Sequence, residues 1–523
     1  MTLFEGENRS EKVVVLFTMV FALFMAMLDN TVVNVALPRL SHDLGAGVSG
    51  LQWIVDGYVL ALASLLLTGG ILGDRFGRKR TFLIGLVTFT FSSLLCGLSQ
   101  TTGQLIAARG LQGVGAALLL PGTLSIITVT FPPKERAKAI GIWAGVSGLA
   151  LALGPTVGGW MVEHVGWESV FFLNVPIGII GTITGLRTIR ESRSPQARRL
   201  DVGGLLIGTA GLFSLTYALI EANQRGWGDG VIVTTLLAGG VLLAVLVAFE
   251  HRSAHPMMPL QLFRIRPFSA GNAVAFSVTL AMFGTFFFMS LYMQQIRGYS
   301  PFEAGLRFVP MTGMIIFAAP NAGRLASKYG SRWPMTLGLT LAGAGMLLLS
   351  RVNADTPFLL ILPVLMMMGI GMGSTMTPMT AAVMNAVGHE RAGLGGAMTN
   401  TSREVGGVFG IALLGSLLTT KLKSALTVKL GGLGLAAAQK SALIATAGHG
   451  RFDPQLLKGF RPETAAAVTN AYSDSFIGGF HLALLVAACV LLFSAGLSYM
   501  FIPSGAPHSG EAGEPETLAA VAT

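Results

Sequence analysis

Residues 13–38 read VVVLFTMVFALFMAMLDNTVVNVALP, and this run of apolar side chains decides the fold. A helix needs about 20 predominantly apolar residues to cross the hydrocarbon core of a bilayer, so the run is long enough for one span. Asp29 lies inside it, where a charged side chain costs about 2.5–3.5 kcal/mol on insertion scales. Such a group is expected to face a partner or a water-filled cavity and to be functional. The alternative is a carboxylate that only fastens helices through a hydrogen bond.

The whole chain has the composition of a multi-pass membrane protein. Apolar residues make up 52% of its 523 residues, charged residues make up 11%, and the mean hydropathy is +0.66. The net charge of +10 comes from basic residues in short loops between apolar runs, so no nucleic-acid partner is expected. Cys96 and Cys489 lack metal-ligand spacing, and no nucleotide-binding loop or catalytic triad pattern occurs. The sequence therefore predicts no metal site, no cofactor and no enzyme.

Hydropathy predicts an all-α membrane protein with fourteen spans. The even count places both termini on one side of the membrane. Basic residues concentrate in the loops after the even-numbered spans, as at 75–80 and 187–199, so both termini are expected in the cytoplasm. The expected span limits are 13–37, 51–72, 82–98, 103–124, 137–161, 169–187, 203–222, 231–249, 268–293, 304–323, 334–350, 357–386, 394–420 and 477–502.

A repeated loop divides these spans into two halves. The sequence GILGDRFGRK at 70–79 recurs in weakened form as GRLASKYGSR at 323–332. If each copy joins the second and third helices of a six-helix unit, spans 7 and 8 are an extra pair. Paired bundles of this kind are a transporter architecture, with a cavity near the membrane midplane and alternating access by rocking. The expected domains are an N-terminal six-helix bundle (1–187), a two-helix insertion (188–255), a C-terminal six-helix bundle (256–503) with an external loop at 421–475, and a cytoplasmic tail (504–523). The Ala-rich external loop is expected to form a small helical hairpin.

Five further motifs follow one another along the chain: LDNTVVNVALP at 28–38, RGLQGVGAA at 109–117, GPTVGG at 154–159, FFLNVPIG at 171–178 and GYSPFEAGL at 298–306. Together with the repeated loop, they resemble the major facilitator superfamily and its fourteen-helix drug:proton antiporter branch. The resemblance runs from about residue 13 to residue 503. It implies a proton-coupled antiporter that exports lipophilic, cationic drugs, dyes or antibiotics across the cytoplasmic membrane.

Ionisable residues at membrane depth are the candidate sites for protons and substrate. Asp29 and Asp56 are expected in the outer half of the membrane, and Glu404 towards the cytoplasmic half. Exporters of quaternary ammonium compounds in this branch have acids in the same spans. A proton and a cation can compete for one carboxylate, so exchange needs only the proton gradient. Asp56 has an alternative role as a helix-end acid near the interface.

Arg109 lies inside the fourth span, where a guanidinium must be paired or hydrated. The resemblance implies a role in proton coupling. A static structural ion pair is the alternative, and the sequence leaves both open.

The first copy of the repeated loop is interpreted as a conformational latch. Gly77 can supply the positive φ that a tight connection needs, and Asp74 can accept hydrogen bonds from a nearby helix start or from arginines. The alternative is that the basic residues only orient the protein. The predicted latch residues are Gly73, Asp74, Arg75, Gly77 and Arg78.

Small residues of the fifth span are predicted to form one smooth helical face. Gly154, Pro155, Gly158 and Gly159 belong to this motif. Small residues let helix backbones approach closely in lipid. The face is either a seam that seals the two halves or ordinary packing within one half.

A pocket for varied lipophilic cations needs aromatic and adaptable walls. Phe286, Phe287, Tyr292 and Met367 are the candidates, and each has packing or lipid contact as its alternative. Two other functions stay open: export of an endogenous lipid or metabolite, and a non-transporting membrane sensor. The expected partners are small lipophilic molecules, protons and the bilayer. The oligomeric state is open, and a monomer is compatible with the sequence.

Overall fold

A computed structural model describes residues 9–193, 200–253, 256, 258–387, 392–448, 457 and 460–504. These residues form α-helices and no strands, so the all-α prediction is confirmed for them. The helices are α1 (Arg9–Asp43), α2 (Val48–Phe76), α3 (Arg78–Gly97), α4 (Thr102–Thr130), α5 (Pro133–His164), α6 (Ser169–Phe172), α7 (Asn174–Thr188), α8 (Val202–Arg225), α9 (Gly230–Arg252), α10 (Arg266–Leu291), α11 (Pro301–Tyr329), α12 (Arg332–Leu349), α13 (Phe358–Val387), α14 (Ala392–Gly431), α15 (Ala437–Gly448) and α16 (Pro462–Phe501). A 3-10 turn (Leu260–Arg264) precedes α10, and a π-helical turn (Tyr292–Ile296) follows it.

Within the described ranges, 12 helical segments are long and apolar enough to cross a membrane. The predicted spans 137–161 and 334–350 fall on α5 and α12, which are not among them. Helix α12 has only 18 residues, and Arg332, Trp333 and Pro334 among them lower its hydropathy. The chain is a multi-pass membrane protein. The count of fourteen spans stays a prediction.

Three helical segments differ from their expected limits. Helix α1 continues through Pro38 to Asp43. The sixth span is broken into α6 and α7, since Pro176 has no N–H to donate to the carbonyl of Phe172. The segment 421–475 is not a separate loop, because α14 extends to Gly431 and α16 begins at Pro462. Among the described residues α15 lies between them and packs against α14, and the small helical hairpin stays a prediction. The tail from 505 onwards lies outside the described residues.

The helices form two packed groups joined by a helix pair. In the N-terminal group, α2 and α3 pack against α4, and α1 packs against α5 and α7. In the C-terminal group, α10 packs against α14, α11 and α12 pack against α13, and α16 packs against α12 and α14. Helices α8 and α9 pack against each other and form the insertion pair. The domain limits drawn from the sequence stay a prediction.

The insertion pair lies along the line where α2 meets α14. Helix α8 contacts both of these helices. On the α2 side, Trp53 Nε1 donates to Glu221 Oε1 at 2.9 Å, and Ser49 Oγ donates to the same oxygen at 3.3 Å. On the α14 side, Ile220 packs in an apolar cluster with Ala412. Helix α9 turns much of its apolar surface outward. The pair therefore bridges one edge of the boundary between the two groups.

Candidate functional site

Asp29 is enclosed inside the N-terminal group, where its carboxylate accepts three hydrogen bonds. Arg109 Nη1 donates to Oδ2 at 2.5 Å, and Gln112 Nε2 and Asn174 Nδ2 each donate to Oδ1 at 2.9 Å. The donors stand on α4 and α7. Asp29 has 2% of its surface exposed, and Arg109 has 0%. All three contacts place a donor group against a carboxylate oxygen, so the surroundings of Asp29 are built to supply hydrogen bonds to it.

Arg109 connects this network to α2. Its Nε donates to the carbonyl oxygen of Ile54 at 3.1 Å, and its Nη1 also donates to Gln112 Oε1 at 2.7 Å. The ring of Tyr58 covers the guanidinium, with Cζ 4.2 Å from the ring centroid, which is cation–π geometry. Two charges removed from water are stable only when they are paired and hydrogen-bonded, and of this pair only Arg109 Nη2 has no hydrogen-bond partner among the described residues. The structure brings Asp29 and Arg109 together, and the pair is compatible with both a proton-coupling and a static role.

Asp56 is buried beside the boundary between the two groups. It follows Gln52 by one turn of α2, and Gln52 Nε2 donates to the carbonyl oxygen of Ile411 on α14 at 2.8 Å. Asp56 is 0% exposed, and neither carboxylate oxygen has a hydrogen-bond partner among the described residues. An ionised carboxylate in such a place costs much free energy, and a bound proton or cation would remove that cost.

Glu404 is half-buried on α14, and its Oε2 has no hydrogen-bond partner in the described part of the chain. Across the described ranges, no hydrogen bond or ion pair joins Asp29, Asp56 and Glu404 to one another. The three acids therefore occupy separate environments.

Three polar residues of the Asp29 network had no role assigned to them from the sequence. Besides their bonds to Asp29, Gln112 Nε2 donates to Ser93 Oγ at 2.7 Å, and Asn174 Nδ2 donates to the same hydroxyl at 3.3 Å. All three side chains lie inside apolar spans. Gln112 also follows Arg109 by three residues, which places both on one face of α4. Those two signals, polarity at membrane depth and helical spacing, could have identified the group.

The predicted latch forms an ion pair within its own connection. Arg78 donates to Asp74 Oδ1 from Nε at 2.9 Å and from Nη2 at 2.8 Å. Gly77 has φ +123°, and its N–H donates to the carbonyl oxygen of Gly73 at 3.1 Å. Arg75 is exposed and lies over the ring of Phe76. The Asp74–Arg78 pair joins α2 to α3 within one group, and a latch between the groups stays a prediction.

Glu191 caps the start of α3 and was not identified from the sequence. Its Oε1 accepts from the backbone N–H of Lys79 at 3.1 Å, and its Oε2 accepts from that of Arg80 at 3.3 Å. A carboxylate at this place satisfies amides that have no partner within the helix and interacts favourably with the helix dipole. A Cβ at Gly77 would lie 2.6 Å from this carboxylate. The glycine therefore provides both the positive φ and the space for the cap.

We expect Gly77→Ala to lower the melting temperature of the purified protein by several degrees. The positive φ strains any L side chain by about 1–3 kcal/mol, and the new methyl group displaces the Glu191 cap. Gly103→Ala is the matched control, since a Cβ there meets nothing within 4 Å. Thermal unfolding in detergent measures both variants, and equal melting temperatures would refute this account of the loop.

The helix-5 motif packs against two different neighbours. A Cβ at Gly154 would lie 1.8 Å from Thr31 Oγ1, and one at Gly158 would lie 2.7 Å from Val32, both on α1 of the same group. A Cβ at Gly159 would instead lie 2.4 Å from the carbonyl oxygen of Pro301 on α11. The motif therefore serves packing within one group and contact with the other group at once.

The contact between α5 and α11 is continued by a second glycine. A Cβ at Gly305 of α11 would lie 2.1 Å from the carbonyl oxygen of Pro155 on α5. We call the contact formed by Pro155, Gly159, Pro301 and Gly305 the seam. Further along the same two helices, Cβ atoms at Gly145 and Gly313 would meet nothing within 4 Å. The two helices therefore touch at the seam and have free space beside them further along.

Hydrogen bonds near the same end of the molecule also join α1 to α10. Ser290 Oγ donates to the carbonyl oxygen of Asn34 at 2.7 Å, and Gln294 Nε2 donates to that of Val35 at 3.1 Å. Gln294 belongs to the π-helical turn, a feature that is frequent at functional sites. We call this end, which also contains the seam, the closed end.

Most of the predicted pocket-wall residues lie in the packed interior of the C-terminal group. Phe286 stacks on Phe308 with ring centroids 5.0 Å apart, and Phe287 is 0% exposed. Tyr292 donates its hydroxyl to the carbonyl oxygen of Asn353 at 2.8 Å. Met367 is half-buried, and its Cε lies near Gly345 of α12. Packing contacts therefore account for these residues in this arrangement, and their role as a wall stays a prediction.

Comparison with known proteins agrees with this architecture. Residues 19–411 match the family described as Major Facilitator Superfamily. A Tetracenomycin C resistance and export protein of Streptomyces glaucescens is 36% identical over 488 residues, which cover 92% of this chain and 90% of that protein. A Methylenomycin A resistance protein of Streptomyces coelicolor is 41% identical over 397 residues, which cover 75% and 83%. A crystal structure of a bacterial homologue of the human lysosomal transporter Spinster has a TM-score of 0.62 at 16% identity, covering 95% of this chain and 100% of that one, and shows likeness of fold alone.

The family match covers most of the chain, and the relatives match it over nearly their full length. The relatives confirm two expectations: that the protein is a cell-membrane transporter with small-molecule substrates, and that it is not an enzyme. The chain belongs to the Major Facilitator Superfamily.

Proposed function

We propose that the protein exports lipophilic, cationic drugs, dyes or antibiotics across the cytoplasmic membrane in exchange for protons, by alternating access. The observation that carries the proposal is the pairing of Asp29 with Arg109, an acid held inside an apolar bundle by three donors. Such groups mark proton relays and substrate pathways. The relatives named for resistance to and export of antibiotics support drug efflux as the outcome.

The proposed cycle uses the two kinds of acid differently. With the closed end shut, Asp29 is proton-free and paired, while Asp56 and Glu404 are available for a proton or a cation. Opening of the closed end admits protons, and protonation of Asp29 removes its pairing with Arg109. Release of those protons on the other side restores the pair. In this scheme the chain has fourteen spans with six, two and six helices in the three parts, both termini are cytoplasmic, and the closed end is extracellular.

The test is proton release by purified protein in proteoliposomes loaded with a pH difference. Adding ethidium or a quaternary ammonium cation should release protons at a rate that depends on the protein. A response to a neutral or anionic metabolite, with silence towards cations, would favour the endogenous-metabolite exporter. Silence towards all of them would count against transport.

A further inference from the structure

The start of α11 is bound by a carboxylate from the other helix group. The backbone N–H of Phe302 donates to Glu163 Oε2 at 3.0 Å, and the side chain of Ser300 lies near the same carboxylate. Glu163 stands on the last turn of α5, four residues beyond Gly159. The contact therefore continues the seam at its outer edge.

The sequence GYSP at 298–301 builds the surface that receives this carboxylate. Ser300 is the N-cap of α11, with its Oγ accepting from the N–H of Glu303 at 3.2 Å, and Pro301 occupies the first helical position. Glu303 returns the bond to the N–H of Ser300 at 3.1 Å. This capping box leaves the N–H of Phe302 for an outside acceptor. An anion is favoured at this end of the helix dipole.

The charge state of Glu163 agrees with this contact. The hydrogen bonds from Ser300 and Phe302, with a smaller contribution from His164, hold the pKa of Glu163 below its usual range. The carboxylate is therefore ionised at neutral pH. The stabilisation that Glu163 gives to the closed seam is therefore fully present above the ordinary pKa of a glutamate. It is lost as the pH falls through the lowered pKa of Glu163.

We propose that Glu163 is a clasp, a positioning residue that holds the seam closed by capping α11 across the boundary between the helix groups. The inference rests on the proposed function in one respect, since rocking of the two groups is what opens the seam. It also explains why the motif at 298–306 contains Ser300, Pro301 and Gly305 together. The first two shape the cap, and the third admits Pro155.

The experiment measures how often the seam opens in membranes. Thr156 on α5 lies beside Gly305, so Thr156→Cys is the reporter, in a Cys489→Ser background that removes the exposed native thiol. A membrane-impermeant maleimide is applied at neutral pH to one side of the membrane. A separate marker variant, Val428→Cys, identifies that side, since Val428 is 77% exposed on the α14 extension and its thiol reacts only with reagent added there. Glu163→Gln should raise the labelling rate of the reporter about two- to fivefold, the range expected for one exposed charge at a helix end. Glu163→Ala should raise it at least as much.

Two controls make the result decisive. Glu168→Gln changes a nearby acid whose carboxylate lies beside Gly166, and it should leave the labelling rate unchanged. Gly305→Ala forces the seam apart and should raise the rate. Unchanged labelling in both Glu163 variants, with a raised rate in Gly305→Ala, would overturn the clasp. Absence of ethidium-linked proton release by the unmodified chain would instead overturn the proposed function, and the labelling result would stand.

Discussion

Replacing Asp29 with Asn should abolish gradient-driven export and also destabilise the protein. The variant leaves the Arg109 guanidinium buried without its counter-charge, and breaking a buried pair in this way costs about 3–5 kcal/mol. The amide also cannot carry a proton through the cycle. The measurements are ethidium-driven proton release in proteoliposomes and the melting temperature in detergent.

The double variant Asp29→Asn with Arg109→Gln separates the two roles of the pair. It removes both charges, so most of the lost stability should return, because replacement of both partners of a buried pair is often close to neutral. Proton-coupled export should remain absent if Asp29 carries the proton. Exchange of labelled ethidium for unlabelled ethidium, which needs no proton, should persist and thereby show that the protein still transports.

One outcome would establish the static interpretation instead. If the double variant recovers proton-coupled export together with its stability, then the pair only fastens helices α1 and α4. The same conclusion follows if Asp29→Asn alone retains coupled export of every tested cation. The proton-coupling role would then have to rest on Asp56 and Glu404.

The sequence predicted the helical class and singled out the ionisable residues at membrane depth because both follow from local rules. A run of apolar residues must become a helix in lipid, and an acid within it must find a partner. The side chains that bind Asp29 were harder to predict from the sequence. Gln112 and Asn174 reach Asp29 from two different helices, Ser93 accepts from both of them on a third, and only the packing of those helices brings the group together.

The boundaries of helices at the membrane surface were predicted least well. Hydropathy marks where a helix enters water, whereas helical hydrogen bonding continues beyond that point in α14 and α16. Glu163 was overlooked for a different reason. It is an exposed acid with no signal in its own sequence neighbourhood. Its proposed role depends on the start of α11, whose N-cap Ser300 lies 137 residues further along the chain.

The second large effect is expected at the seam, where one added methyl group should prevent closure. Gly159→Ala and Gly305→Ala each place a Cβ within 2.4 Å of a backbone oxygen of the other helix group. Backbone cannot rotate aside as a side chain can, so the closed arrangement should lose about 1–3 kcal/mol. A change of that size shifts the equilibrium between closed and open forms by about five- to 150-fold. Export should fall accordingly, and outside labelling of Thr156→Cys should rise in the Gly159 variant as in the Gly305 variant.

Two other glycines of α5 show whether the effect belongs to the seam or to helix packing in general. Gly145→Ala adds a methyl group where nothing lies within 4 Å, and it should change neither export nor labelling. Gly158→Ala presses on Val32 of the same helix group, so it should lower the melting temperature without raising the labelling rate. If Gly158→Ala and Gly159→Ala instead gave the same labelling and the same melting temperature, the motif would act through packing within one group. A difference between these neighbouring residues is expected because they point about 100° apart around the helix, one towards α1 and the other towards α11.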